Sequence, residues 1–123
     1  MSGRSIGVAV VQAELGNSDG SNVPKMEGLI REAAAAGASV VVLPELFEGP
    51  YFPKTKDEAH RELARQVSGH PMLSAMAVLA RECSVVLPLS FFEQHASGRF
   101  NTVATVDADG SCLGFYRKSH IPD

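Results

Sequence analysis

A chain of 123 residues holds one domain or part of one, and 45% hydrophobic residues allow a real core. A net charge of −3 excludes the basic patch of a nucleic-acid binder and leaves no acidic tail. The apolar run at residues 6–11 is far too short for a signal or membrane segment, so the sequence reads as a soluble, cytoplasmic protein without membrane or nucleic-acid partners.

The predicted elements give an α/β order. Residues 5–12, rich in valine, form a strand. Residues 14–21 make a polar turn, and Ser21 or Asn22 is placed to cap the next helix. From there Val23, Met26, Leu29, Ile30, Ala33 and Ala34 recur at helical spacing, and Gly37 ends that helix. Residues 39–43 form the second strand, whose Val40, Val41, Val42 and Leu43 read as buried on both faces. This β-α-β unit should be parallel and right-handed. Pro50 and Pro53 hold an extended loop over the strand end. Residues 56–66 and 71–82 read as helices, with Pro71 in a first turn. Strands follow at 84–92 and 100–106, joined by residues 93–99. Asp109-Gly110 then turns into a strand at 111–117, so the last three strands form an antiparallel meander.

The candidate chemistry sits at strand ends. Glu45 follows Leu43-Pro44 at the carboxyl end of the second strand, where open α/β sheets place their ligand sites. Partial desolvation there suits a carboxylate to general-base work, while the bland alternative is a solvated loop glutamate. The last strand runs into Arg117, Lys118 and His120, where cations either stabilise an oxyanion or form a solvated edge. Glu93 ends an apolar strand much as Glu45 does. Cys83 closes a helical pattern and reads as a small apolar residue. Cys112 lies just past a turn, in a strand expected to stay out of the site. Two cysteines without a secretory segment argue against a disulfide framework. His60, His70 and His95 share no ligand spacing, so no metal is expected. Asn101 reads as structural, satisfying backbone groups near a strand start.

Several motifs occur in register: Leu43-Pro44-Glu45-Leu46-Phe47, Glu48-Gly49-Pro50-Tyr51-Phe52, Val86-Leu87-Pro88-Leu89-Ser90-Phe91-Phe92-Glu93, Phe100-Asn101-Thr102, Asp107-Ala108-Asp109-Gly110 and Tyr116-Arg117-Lys118-Ser119-His120-Ile121-Pro122-Asp123. Together, from residue 6 onward, they resemble the carbon–nitrogen hydrolase (nitrilase) superfamily. The wording around Tyr51, Phe92 and His120 looks most like its N-carbamoylputrescine amidase branch. The resemblance implies a four-layer α-β-β-α sandwich, of which this chain supplies the N-terminal half, a mixed sheet with the terminal meander. It also implies hydrolysis of an amide or carbamoyl C–N bond by a cysteine, a glutamate and a lysine, with no cofactor. By that resemblance Glu45 is the general base and Lys118 stabilises the oxyanion. Tyr51 and Phe52 fit either a pocket lining or a packing anchor, and the weight of aromatic burial favours packing. His120 fits equally a group that orients the site and a surface imidazole.

The family's nucleophile lies a few dozen residues beyond the lysine, whereas this chain ends five residues after Lys118. A second glutamate that members carry in that interval is likewise outside it. Residues 1–123 are therefore expected to be a partial domain, inactive alone, whose C-terminal half carries the cysteine. Neither Cys83 nor Cys112 matches the nucleophile position, and a reactive thiol needs an electropositive, accessible setting. By resemblance the expected substrate is N-carbamoylputrescine, giving putrescine, ammonia and carbon dioxide. A ureido acid or an aliphatic amide is the alternative substrate. The expected assembly of the full-length form is a homo-oligomer. A half sandwich leaves one sheet face without its full partner, so the isolated chain is expected to associate through bare apolar surface or to bind full-length subunits. A sharp monomer peak on size exclusion with cooperative unfolding would overturn the first expectation. A nucleotide-binding α/β domain is disfavoured, because Ala13-Glu14-Leu15-Gly16-Asn17 lacks the glycine spacing that admits a pyrophosphate.

Overall fold

A computed structural model of the chain describes residues 3–16, 21–48 and 69–119. The predicted loop with Pro50 and Pro53, the helix at 56–66, and Tyr51, Phe52, His60 and His120 lie outside the described residues. Within them the element order is β1 (Val8–Val10), α1 (Asn22–Ala35), β2 (Val40–Val42), α2 (Pro71–Cys83), β3 (Leu87–His95), β4 (Gly98–Val106) and β5 (Cys112–Arg117).

The first two strands pair in parallel, with Val8 opposite Val40 and Val10 opposite Val42. The last three form the expected antiparallel meander in the order β3-β4-β5. A single parallel bridge from Val40 to Val86 joins the two ladders, sealed by Val86 N donating to Ser39 O at 2.8 Å and Val41 N to Val86 O at 3.1 Å. The result is one mixed sheet with the parallel unit at one side and the meander at the other.

Both helices present apolar stripes to one common core. Met26 and Ile30 of α1 and Met72, Met76, Leu79 and Ala80 of α2 are buried at helical spacing. They meet the inward residues of the strands, Val41, Leu87, Leu89, Phe91, Ala104 and Val106. Residues of alternate parity in β3 and β4, among them Pro88, Ser90, Phe92, Val103 and Thr105, point to the other face and are only partly covered. That half-open face carries the candidate site.

Some expectations shift in detail. Val40 and Val42 are only partly buried, because the described helices cover one face of β2, the face of Val41. Val8 and Val10 of β1, and Ile6 just before it, are likewise exposed. Asn22 does not cap α1: its Oδ1 accepts from Gly16 N at 2.9 Å, and Ser21 makes no side-chain cap bond either. The far end behaves as predicted, with Gly37 at φ 102° and Ala38 N donating to Ala33 O at 3.1 Å. Pro71 opens α2 as expected. The third strand runs on to His95, and the hairpin to Gly98 is tight. The predicted end near residue 92 failed because Glu93 breaks the apolar alternation while still pointing inward.

Candidate active site

Glu45 opens the turn just past β2, and Lys118 directly follows β5, 73 residues away in sequence. Their side chains meet: Lys118 Nζ donates to Glu45 Oε1 at 3.0 Å. Both side chains are about a third exposed, at 35% and 37%, so the pair is reachable from solvent yet set against the sheet. Two expected site residues drawn from distant segments are thus brought together by the fold.

The Glu45 turn is held from beneath. Leu46 adopts φ 54°, a left-handed conformation that a leucine rarely takes, and its side chain is buried. Its N–H is satisfied by Ser90 Oγ of β3 at 2.9 Å. Strained backbone of this kind persists where surroundings over-determine it, and it clusters at functional sites. The next residues continue the anchoring: Phe47 is fully buried, and Glu48 Oε1 lies 3.3 Å from Nε2 of the buried His70. His70 stands edge-on to Phe91 at 5.2 Å, so it packs as an aromatic core residue.

A cavity of about 250 Å³ opens on this face. Its polar lining includes Glu45, Lys118, Ser90, Asn101 and Tyr116, and its apolar walls include Val42 and Val103. Asn101 departs from its expected role. Among the described residues its side-chain amide satisfies no backbone group: both Nδ2 and Oδ1 are buried without a partner there. Its backbone carbonyl does the holding instead, accepting from Lys118 N at 2.8 Å.

On the other face of the same strands lies a second carboxylate–cation pair. Glu93 is buried, and Arg117 grips it with two bonds, Nε to Oε1 and Nη2 to Oε2, each 2.9 Å. Thr102 Oγ1 donates to Oε1 at 2.7 Å. The Arg117 guanidinium also lies over the Phe100 ring, 4.5 Å from its centroid. The two arginine bonds, helped by Thr102, hold the Glu93 carboxyl below its ordinary range against the opposing effect of burial. Bonding to Glu93 raises Arg117 in turn. Sequence reasoning passed over this pair. The available signal was parity: counting in twos from Leu87 through Leu89 and Phe91 lands on Glu93 as an inward charge, and a buried carboxylate demands a partner.

The cysteines stay apart from the site. Cys83 packs against the core, as its helix-end position implied. Cys112 is exposed at the start of β5. The expectation that its strand avoids the site needs correcting, because β5 brings Tyr116 and Lys118 there. Cys112 is at the opposite end, about 20 Å along the strand at 3.4 Å per residue. Among the described residues no helix is long and apolar enough to cross a membrane.

Against known proteins, residues 7–123 match the carbon-nitrogen hydrolase family model. The chain belongs to that family. It is 42% identical over 120 residues to the N-carbamoylputrescine amidase of Arabidopsis thaliana, which covers 98% of this chain and 40% of that protein. It is 40% identical over 119 residues to a citrullinase of Francisella tularensis, covering 97% and 42% respectively. The fold superimposes on a carbon-nitrogen hydrolase from Helicobacter pylori with a TM-score of 0.84 at 30% identity, over 96% of this chain and 41% of that one. The chain therefore spans about 40% of the length of the relatives it matches. The architecture agrees with the N-terminal half of the nitrilase-like sandwich: among the described residues, one helical layer lies on one mixed sheet, whose opposite face they cover only in part.

Proposed function

We propose that this chain supplies the base and the oxyanion cation of an amidohydrolase whose nucleophilic cysteine lies outside residues 1–123. The observation that carries the reading is the 3.0 Å contact between Glu45 and Lys118 at two strand ends in a family domain. Glu45 takes the thiol proton as sulfur attacks the carbonyl carbon, and Lys118 Nζ donates to the oxygen that becomes negative. The C–N bond then breaks, and ammonia or an amine leaves with the proton that Glu45 held. Water adds to the thioester while Glu45 receives its proton, the C–S bond breaks, and the departing thiolate takes that proton from Glu45. The pair is chemically suited to this sequence because it joins a proton acceptor and a fixed cation within reach of one carbon.

Similarity to the Arabidopsis enzyme supports N-carbamoylputrescine as the substrate, with ammonia lost first and the resulting carbamic acid giving carbon dioxide and putrescine. The Francisella relative supports a ureido acid as the alternative. The test is ammonia release by the full-length gene product from N-carbamoylputrescine and from citrulline. Glu45→Gln and Lys118→Ala should each abolish most of it, and near-normal turnover in either rejects the assigned roles.

A second reading has its own observation. Ile6, Val8 and Val10 on one side and Leu113, Phe115 and Tyr116 on the other are exposed by 53–71%. Such apolar surface favours residues 1–123 pairing with the remainder of a domain or with full-length subunits. Co-purification of the two chains tests it, and failure to co-purify rejects it.

A further inference from the structure

We propose that the Glu93–Arg117 pair is a positioning device for Lys118, acting across the sheet from the site. This rests on the reading of Lys118 as the oxyanion cation. Three observations carry it.

The first is adjacency with opposite parity. Arg117 and Lys118 are consecutive, so their side chains leave the backbone on opposite faces. Fixing one fixes the direction of the other without touching the substrate.

The second is the weakness of the strand that carries them. All six residues of β5 are exposed. β5 is the last strand in the order of its sheet, and Arg117 is the last residue of its pairing with β4. Strand ends of that kind fray. Lysine has a long flexible stem, so a frayed backbone at residue 118 would spread the ammonium over several ångströms.

The third is where the clamp is applied. Thr102 pairs with Arg117 in the β4–β5 register, and Glu93 belongs to β3, a full strand further in. Arg117 therefore reaches across β4 to Glu93, with Thr102 bonding the same carboxylate between them. Three strands are tied at one point, one residue before Lys118. A two-bond arginine fork on a carboxylate fixes orientation as well as distance. The same end is held on the site side by Lys118 N donating to Asn101 O. A pair needed for stability alone could sit anywhere along the sheet, whereas this one abuts the site lysine.

The test is a double-mutant cycle in the full-length gene product with N-carbamoylputrescine as substrate. Glu93→Gln should lower kcat by about tenfold or more while KM moves within about twofold, because a displaced cation is missed mainly in the transition state. In a Lys118→Ala background the same change should cost less than about twofold of the residual rate, since the residue it positions is gone. An equal fractional loss in both backgrounds, or no loss in either, overturns the proposal. If Lys118→Ala itself turns over normally, the reading of the site falls first, and the two failures are told apart. Should Glu93→Gln fold poorly, Arg117→Lys, which keeps the charge but loses the fork, replaces it in the cycle. Hydrogen exchange supplies a readout without turnover: Glu93→Gln should speed exchange of the Lys118 amide about tenfold while the β3–β4 ladder stays protected. Unchanged Lys118 exchange overturns the proposal as well.

Discussion

Two carboxylate–cation pairs lie on opposite faces of one sheet, and their cations are neighbours in sequence. Glu93 is buried and takes three bonds, two of them from one guanidinium. Among the described residues, Glu45 takes one side-chain bond, from a lysine in a half-open cavity, with Oε1 as the accepting atom. The difference lies in how much of the carboxylate's bonding capacity is used. A carboxylate saturated by a fork and a hydroxyl is committed to structure. A carboxylate that still reaches a cavity keeps oxygen lone pairs available for a further donor. The cations follow the same logic, since an arginine fork fits a fixed partner and a lysine point charge can shift to a developing oxyanion.

The comparison can be broken most directly at the site pair. Glu45→Gln in the full-length gene product should reduce ammonia release by about a hundredfold or more, as expected for a lost general base, with an unchanged thermal midpoint. Loss of folding with loss of activity would move Glu45 into the structural class. The converse substitution, Glu93→Gln, should cost about 1–3 kcal/mol of stability, because it weakens charged bonds to a buried group. Denaturant unfolding of the wild type and the variant measures this, and equal midpoints would show that the Glu93–Arg117 pair holds nothing. Ser90→Ala removes the acceptor for Leu46 N and should cost about 1 kcal/mol, with a smaller loss of turnover than Glu45→Gln.

Acid sharpens the contrast. The Glu93 carboxyl is held below the ordinary glutamate value of 4.5 by Arg117 and Thr102. Its contribution to stability is fully present above that value and is lost as pH falls through the lowered folded-state pKa. Wild type should therefore lose more stability than Glu93→Gln between neutral pH and pH values below about 4.5. Parallel acid profiles would contradict the cause assigned to the shift. The smallest effect is expected at a third pair, Arg31 with Glu82, which bond at 2.8 Å with both side chains about half exposed. Arg31→Ala should leave both the thermal midpoint and turnover unchanged, as is usual for solvated ion pairs.

Much of the architecture was legible in order and type. Helical spacing marked α1 and α2, Gly37 and Pro71 marked helix ends, and the Asp109-Gly110 turn marked the meander. These signals are local, each residing in a few neighbouring residues. The misreadings share one cause. Ending β3 before Glu93 treated a charge as a boundary, when its partner lies 24 residues on in β5. Giving Asn22 a cap role missed Gly16 N across the loop, and giving Asn101 a backbone-satisfying side chain missed that its carbonyl is the group that holds Lys118. Expecting β2 to be buried on both faces assumed a covering layer on a face that the described helices do not cover.

The sequence by itself determined the kinds of element, the family and the two residues to watch, Glu45 and Lys118. Propensity, periodicity and motif spacing are properties of short stretches and are written in the chain directly. Only the tertiary structure decided which charges meet. It set Lys118 against Glu45 across 73 residues and turned Arg117 toward Glu93 on the other face. The physical reason is that a charge is committed by burial and by the donors around it, and both are supplied by segments distant in sequence.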